Sequence, residues 1–169
     1  DAWNNWKSSL LDSLYFQTLQ LVSTDVKVET RSERINTAKK KLEGYLQGFE
    51  KQEIKKETSR HFDAYWLVLD TTTQKLIAKM INSLEQDPLQ IQPSYDSERD
   101  ITKIIFVMED HPGIFSRLAG ALAIASANVI DAKTFTTKDG IANFIFWIQD
   151  NLGKTYDERK TKRLLDTVK

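Results

Sequence analysis

The sequence has 169 residues, which is enough for one ordinary domain or two small ones. It carries 24 basic and 24 acidic side chains, and this balance argues against a nucleic-acid binder, because such proteins usually show a basic excess. There is no cysteine, which excludes disulfides and thiolate metal sites and favours a cytoplasmic protein. No apolar run approaches the roughly 20 residues that span a bilayer, so no membrane partner is expected.

The first half of the chain, residues 1–87, is predicted to be a helical segment. Residues 1–22 have a wide apolar stripe that we expect to be buried on more than one side, with Asp1 as a helix cap. Because the chain starts without Met, we interpret it as a piece of a longer protein. Asp63 is predicted to cap a short helix and Asp70 a longer one. The further predicted helices cover residues 31–47, 50–60, 64–69 and 71–86.

An aromatic cluster, Phe62, Tyr65 and Trp66, lies between two of these helices. We consider it, together with Trp147, a candidate interface for docking another domain; local core packing is the alternative interpretation. His61 has no second histidine or cysteine near it in the sequence, so it is expected to be a packed or surface residue rather than a metal ligand.

Residues 88–100 contain two prolines and are predicted to be a linker with a short extended piece. Residues 101–169 then change to an α+β pattern, with strands at 101–108, 129–137 and 141–149 and helices at 115–128 and 156–169. Asp139-Gly140 is the signal of a tight hairpin turn. The order βαββα predicts a ferredoxin-like domain whose last strand is missing.

Two consequences follow from this arrangement. Without a fourth strand, residues 101–108 have an open edge, which we expect residues 89–93 or a neighbouring molecule to cover. Strands 101–108 and 141–149 are also apolar on both faces, whereas two helices cover only one. The second face should therefore pack on the helical segment, on a second copy or on another domain.

The loop at residues 110–115 links a predicted strand to a predicted helix. Asp110 is expected to cap the helix and Pro112 to occupy its first turn, while Gly113 lets the backbone approach a ligand closely. A helix N-terminus with free N–H groups is a natural seat for a carboxylate. The alternative is that these residues only shape the turn and bind nothing.

Several segments carry a family resemblance: DHPGIFSRLAGA at residues 110–121, ANVIDA at 127–132 and TTKDG at 136–140. They resemble the ACT domain, a small regulatory module that binds amino acids. AWNNWK at residues 2–7, AYWL at 64–67 and FWIQD at 146–150 resemble the bifunctional uridylyltransferase/uridylyl-removing enzymes that act on the nitrogen-regulatory protein PII. The resemblance covers essentially the whole chain.

In that family, a nucleotidyltransferase domain attaches UMP to PII, a metal-dependent HD domain removes it, and two ACT domains sense glutamine. The resemblance implies that this chain holds the exit helices of the HD domain, a connector and most of the first ACT domain. Mg²⁺ or Mn²⁺ is expected in the catalytic domains and no cofactor in this segment. The sequence has no His-Asp doublet or paired aspartates, so we assign no catalytic or metal-binding residue.

The predicted function is glutamine sensing that controls the modification of PII. Backbone N–H groups at residues 113–115 would bind the ligand carboxylate, and residues 128–131, predicted to lie beside the loop, would meet its ammonium or amide. The predicted ligand-binding residues are Asp110, His111, Pro112, Gly113, Ile114, Phe115, Asn128, Val129, Ile130 and Asp131. The expected partners are glutamine, PII, and other domains of the longer protein or a second copy. The alternative is a ferredoxin-like interaction or dimerisation module that binds no metabolite.

Overall fold

The computed structural model describes residues 5–23 and 29–168, so the predicted cap Asp1 lies outside the described residues. The helices are α1 (Asn5–Ser23), α2 (Arg31–Tyr45), α3 (Lys51–Arg60), α4 (Asp63–Val68), α5 (Thr71–Asn82), α6 (Ile114–Ile124) and α7 (Glu158–Val168). The strands are β1 (Leu89–Asp96), β2 (Ile101–Glu109), β3 (Asn128–Thr136) and β4 (Ile141–Gln149).

The four strands form one sheet in the order β1-β2-β4-β3, and every neighbouring pair is antiparallel. β2 and β3 therefore run in the same direction, and α6 is the crossover helix that joins them. The order strand, helix, strand, strand, helix from β2 to α7 confirms the predicted ferredoxin-like α+β fold.

Strand β1 occupies the place of the strand that the βαββα pattern lacks. It pairs with β2 along its whole length, from Leu89 opposite Met108 to Asp96 opposite Ile101. This confirms that residues 89–93 cover the open edge, but the prediction of a linker at residues 88–100 is wrong. The two prolines suggested a linker, yet Pro93 lies in an edge strand, where proline is tolerated.

The sheet has a hydrophobic core on each face. On one face, Ile105, Val107 and Ile145 pack with buried residues of α2, α4 and α5. On the other face, alternate residues such as Ile104 and Phe146 pack against α6 and α7. The helical segment is therefore what covers the second apolar face. Because one core contains residues of both segments, the division into a helical domain and an ACT-like domain stays a prediction.

Helix α1 differs from its prediction. The large apolar side chains that the structure describes there are exposed rather than buried: Leu10, Leu11, Leu14, Tyr15, Phe16, Leu19 and Val22. An apolar pattern indicates that a surface avoids water, but it does not say which partner covers that surface.

Helix caps fix the start of the helices in the segment before the sheet. Asp70 caps α5 as predicted, because its carboxylate accepts hydrogen bonds from the N–H of Thr73 at 2.9 Å and from the Thr73 hydroxyl at 2.7 Å. The predicted cap at Asp63 is wrong. Asp63 lies inside the first turn of α4, and its carboxylate is 3.5 Å from the guanidinium of Arg31.

We expect Ile105→Ala to lower the free energy of unfolding by about 3 kcal/mol, because the side chain is fully buried in the core shared by helices and sheet. The matched control is Ile124→Ala, which removes the same atoms from a side chain that is 81% exposed and should change stability little. Urea unfolding followed by circular dichroism measures both. Equal effects of the two substitutions would contradict this description of the core.

We expect the stability difference between the wild type and Asp70→Asn to shrink as the pH falls. Burial alone would raise the pKa of Asp70, but the hydrogen bonds from Thr73 and the charge of Lys103 outweigh it and hold the pKa below the ordinary 3.8. A depressed pKa in the folded state stabilises the protein above the unfolded value, and this stabilisation is lost as the pH falls through the folded value. Urea unfolding at pH 7 and pH 3 checks this; a difference that does not change with pH would contradict it.

Candidate functional site

The backbone of the 110–115 loop is fixed by a turn over residues 111–114. The N–H of Ile114 donates to the carbonyl of His111 at 3.3 Å, and Gly113 has φ 82° and ψ −3°. A type II turn typically has proline at its second position and a glycine with a positive φ at its third. Gly113 is consequently the N-cap of α6, and the prediction that Pro112 lies in the first helical turn is wrong.

Asp110 does not cap α6, contrary to the prediction. Its N–H donates to the carbonyl of Gly140 at 2.8 Å, and its carboxylate accepts from the hydroxyl of Thr136 at 3.0 Å. Both partners flank the turn between β3 and β4. The turn at Gly113 starts the helix without a side-chain cap, which leaves Asp110 free to bond to the neighbouring strands.

The start of α6 therefore retains unpaired donors. Among the described residues, the N–H groups of Phe115 and Ser116 have no hydrogen-bond acceptor. These groups lie at the positive end of the helix dipole, where an anion is stabilised. Phe115 also stacks on Phe146, with ring centroids 5.7 Å apart, and this contact holds the helix start against the sheet.

Two cavities flank the loop. One, of about 400 Å³, is lined by residues 110–115 and Phe144. The other, of about 410 Å³, lies between the loop, β1 and α6, and its wall carries the charged side chains of Glu109 and Arg117. Neither residue was among the predicted ligand-binding residues. The signal available in the sequence was their position, since Glu109 directly precedes the 110–115 motif and Arg117 lies two residues after it.

Residues 128–131 do not lie beside the loop, so the predicted adjacency is wrong. Val129 pairs with Ile148, and Ile148 pairs with Thr102 near the start of β2, whereas the loop follows the end of β2 at Glu109. Thr102 and Glu109 are seven residues apart along β2, so residues 128–131 and the loop are separated by roughly 20 Å. The physical reason is the crossover: α6 returns the chain to the end of the sheet where β2 begins.

The aromatic cluster near α4 belongs mostly to the core. Tyr65 and Trp66 are buried, and the ring of Tyr65 meets Phe135 of β3 edge-on at 5.7 Å. Phe62 is 57% exposed, and Trp147 is half-buried with the ammonium of Lys133 over its ring at 4.9 Å. Tyr65 and Trp66 are thus part of the core that joins the helices to the sheet, which fits the local-packing interpretation. A docking role for the cluster stays a prediction.

A buried polar cluster lies next to these rings. His61 is a packed histidine, as predicted: its Nε2 is 2.8 Å from the carboxylate of Glu57, and its ring stacks on Tyr65 at 3.6 Å. Arg60 is bonded to Glu57 at 3.3 Å and to Asp139 at 3.0 Å. In residues 5–23 and 29–168, no group of three or more His, Cys, Asp or Glu side chains is placed to hold a metal ion.

Comparison with known proteins agrees with the geometry of the sheet and loop. The family model described as "ACT domain" matches residues 102–150, from β2 through β4. This chain contains an ACT domain. The match includes the complete 110–115 loop and the turn between β3 and β4, so the candidate site lies inside the ACT domain.

The chain is similar over its whole length to proteins named bifunctional uridylyltransferase/uridylyl-removing enzyme. The identity is 40% to the protein of Cereibacter sphaeroides and 42% to that of Ruegeria pomeroyi, in each case over 99% of this chain. For the Azospirillum brasilense protein it is 37% over 89% of the chain. The chain spans only 18%, 19% and 16% of these three relatives, respectively. No helix in the described part of the chain is long and apolar enough to cross a membrane.

We expect Gly113→Ala to destabilise the protein by about 1–2 kcal/mol, because an L-residue is strained at the φ of 82° that glycine adopts here. The matched control is Gly120→Ala in the same helix, where no heavy atom approaches an added methyl group within 4 Å. Alanine there should stabilise the helix by up to about 1 kcal/mol. Thermal and urea unfolding measure both, and substitutions that shift stability in the same direction would contradict the assigned turn.

Proposed function

We propose that the 110–115 loop of the ACT domain binds a free amino acid, glutamine, and that this binding regulates the longer protein to which the segment belongs. The observation that carries the proposal is the pair of unpaired N–H groups at Phe115 and Ser116, which point from a helix start formed by the Gly113 turn. A carboxylate accepts two such hydrogen bonds and is also stabilised by the helix dipole.

Charged side chains that are complementary to an amino acid lie near the loop. Glu109 and Arg117 both line the cavity between the loop, β1 and α6. The carboxylate of Glu109 suits a ligand ammonium, and the guanidinium of Arg117 suits a ligand carboxylate. Cavities of about 400 and 410 Å³ fall within the range of about 300–1,000 Å³ that is usual for small-molecule sites. The site is open, so a second surface is needed to enclose the ligand.

We place residues 128–131 on that second surface. They lie at the far end of the sheet from the loop of their own chain, so they meet a ligand only if a second module presents them. ACT sites commonly lie between two modules. A second ACT domain of the longer protein, or a second copy of the chain, would therefore complete the site.

The function of the longer protein is inferred from its relatives, whose names describe uridylyl transfer and uridylyl removal. We propose that glutamine bound at the loop shifts the balance between these two reactions, which act on PII in the cytoplasm. A ligand shifts such a balance only by its differential affinity for the two arrangements. We propose that the catalytic residues, and the Mg²⁺ or Mn²⁺ that they use, lie in other domains of the longer protein.

A second candidate is an interaction module that binds no metabolite. The exposed apolar side chains of α1, among them Leu14, Phe16 and Val22, favour it, because surfaces of this kind usually contact another protein surface. The two candidates are separated by whether glutamine binds.

We expect isothermal titration calorimetry to detect glutamine binding to the intact protein that carries this sequence. Gly113→Ala should weaken it by about tenfold or more, because the substitution redirects the N–H groups; this factor corresponds to 1.4 kcal/mol. Gly120→Ala, on the same helix but outside the loop, should leave the affinity unchanged. Absence of binding in the wild type supports the interaction module, and equal affinity in the wild type and Gly113→Ala rejects the assigned site.

A further inference from the structure

The turn at residues 137–140, between β3 and β4, is bonded to the candidate ligand loop on one side and to helix α3 on the other. The N–H of Thr137 donates to the carbonyl of Ile141 at 2.8 Å, and the N–H of Ile141 donates back to the Thr137 hydroxyl at 2.8 Å. The N–H of Gly140 donates to the Thr137 carbonyl at 3.1 Å. These three hydrogen bonds define the backbone of the turn.

On the loop side, both ends of the turn bond to Asp110. The Asp110 N–H donates to Gly140, and the Thr136 hydroxyl donates to the Asp110 carboxylate, at 2.8 and 3.0 Å. Asp110 is the first residue of the 110–115 loop. A change in the position of the loop is therefore passed directly to the backbone of the turn.

On the helix side, the turn binds the last residues of α3. The N–H of Lys138 donates to the carbonyl of Arg60 at 2.8 Å, and the Lys138 ammonium donates to the carbonyl of Ser59 at 2.8 Å. These bonds satisfy two carbonyl groups that a helix end leaves unpaired, and the lysine charge suits the negative end of the helix dipole.

The third helix contact is the ion pair between Arg60 and Asp139, at 3.0 Å. Burial alone would raise the pKa of Asp139, but the hydrogen bond from Thr137 and the charges of Arg60 and Lys56 outweigh it and lower the pKa. Asp139 is therefore ionised at neutral pH. Because Arg60 is buried, loss of Asp139 would leave its charge bonded to Glu57 alone, which makes the contact sensitive to the position of the turn.

The packing behind this contact leaves polar atoms unpaired. Among the described residues, Arg60 Nε, the Tyr65 hydroxyl and Trp66 Nε1 are buried without a hydrogen-bond partner. A junction with several unpaired polar atoms gains less stability from its present arrangement than a fully paired one.

We infer that the turn at residues 137–140 couples the occupancy of the 110–115 loop to the position of helix α3, through the contacts of Lys138 and Asp139 with Ser59 and Arg60. The inference rests on the proposed function, since it names the route by which the ligand at that loop acts on the helices. Asp139 is a positioning residue in this account and does not contact the ligand.

Amide hydrogen exchange of the intact protein, with and without glutamine, tests the coupling. In the wild type, saturating glutamine should slow exchange both in the loop and in α3, the latter by about fivefold or more, the lower end of measured coupling between sites. In Asp139→Asn, the affinity for glutamine should stay within about twofold. The effect on α3 should fall below fivefold, because the ion pair with Arg60 is lost and only the two contacts of Lys138 remain. Asp139→Glu keeps the carboxylate and should restore part of the glutamine effect on α3.

The matched control is Asp63→Asn, which breaks the exposed ion pair with Arg31 in the same helical layer and should leave the effect on α3 intact. Slowing of α3 that is as large in Asp139→Asn as in the wild type overturns the coupling, as does a wild type in which only the loop responds. Both results leave the proposed function standing.

If glutamine protects nothing in the wild type, the proposed function fails, and the coupling is then measured without ligand. Asp110→Ala should speed exchange at the end of α3 when Asp139 is present and have a clearly smaller effect in the Asp139→Asn background. Equal effects of Asp110→Ala in the two backgrounds overturn the inference.

Discussion

The structure depends on the burial of both faces of the two central strands, β2 and β4. Neighbouring residues of β2, such as Ile104 and Ile105, lie on opposite faces of the sheet, and both are fully buried. A strand of this kind is stable only when each face has its own cover. Helices α6 and α7 cover one face and the preceding helical segment covers the other, so the sheet and the helices before it are held together by the hydrophobic effect.

The junction between the sheet and these helices is nevertheless not purely apolar. Glu57, Arg60 and His61 are buried beside Tyr65, and the ion pair of Arg60 with Asp139 crosses from helix to sheet. The pair of Arg60 with Glu57 is buried. Replacing a buried ion pair by apolar residues often increases stability, so the presence of this pair is poorly explained by stability alone. A geometry that depends on matched charges is more selective for one arrangement than an apolar contact, which is a useful property in an element that transmits a signal.

Much of the fold followed from local sequence patterns. Apolar runs at residues 101–108 and 141–149 predicted the strands, and the Asp139-Gly140 pair predicted the hairpin turn. The lack of a fourth strand predicted that residues 89–93 or a neighbouring molecule cover the edge of β2. The linker at residues 88–100 was wrong because proline is only evidence against an interior strand, and β1 is an edge. The cap at Asp110 was wrong because a glycine turn can start a helix without a side chain, a choice that depends on tertiary bonds to Thr136 and Gly140.

The error over residues 128–131 carries the most information about function. Residues 128–131 were expected to lie beside the 110–115 loop. A crossover helix, however, places the end of one strand and the start of the next parallel strand at opposite ends of the sheet. Within one ACT domain, the loop with free N–H groups and the segment from Asn128 to Asp131 thus cannot bind the same small molecule. If both segments bind the ligand, it must lie between two modules, and its binding then depends on how those modules are arranged. A site divided in this way links occupancy to assembly, because closing it around a ligand changes the contacts between modules rather than the shape of one.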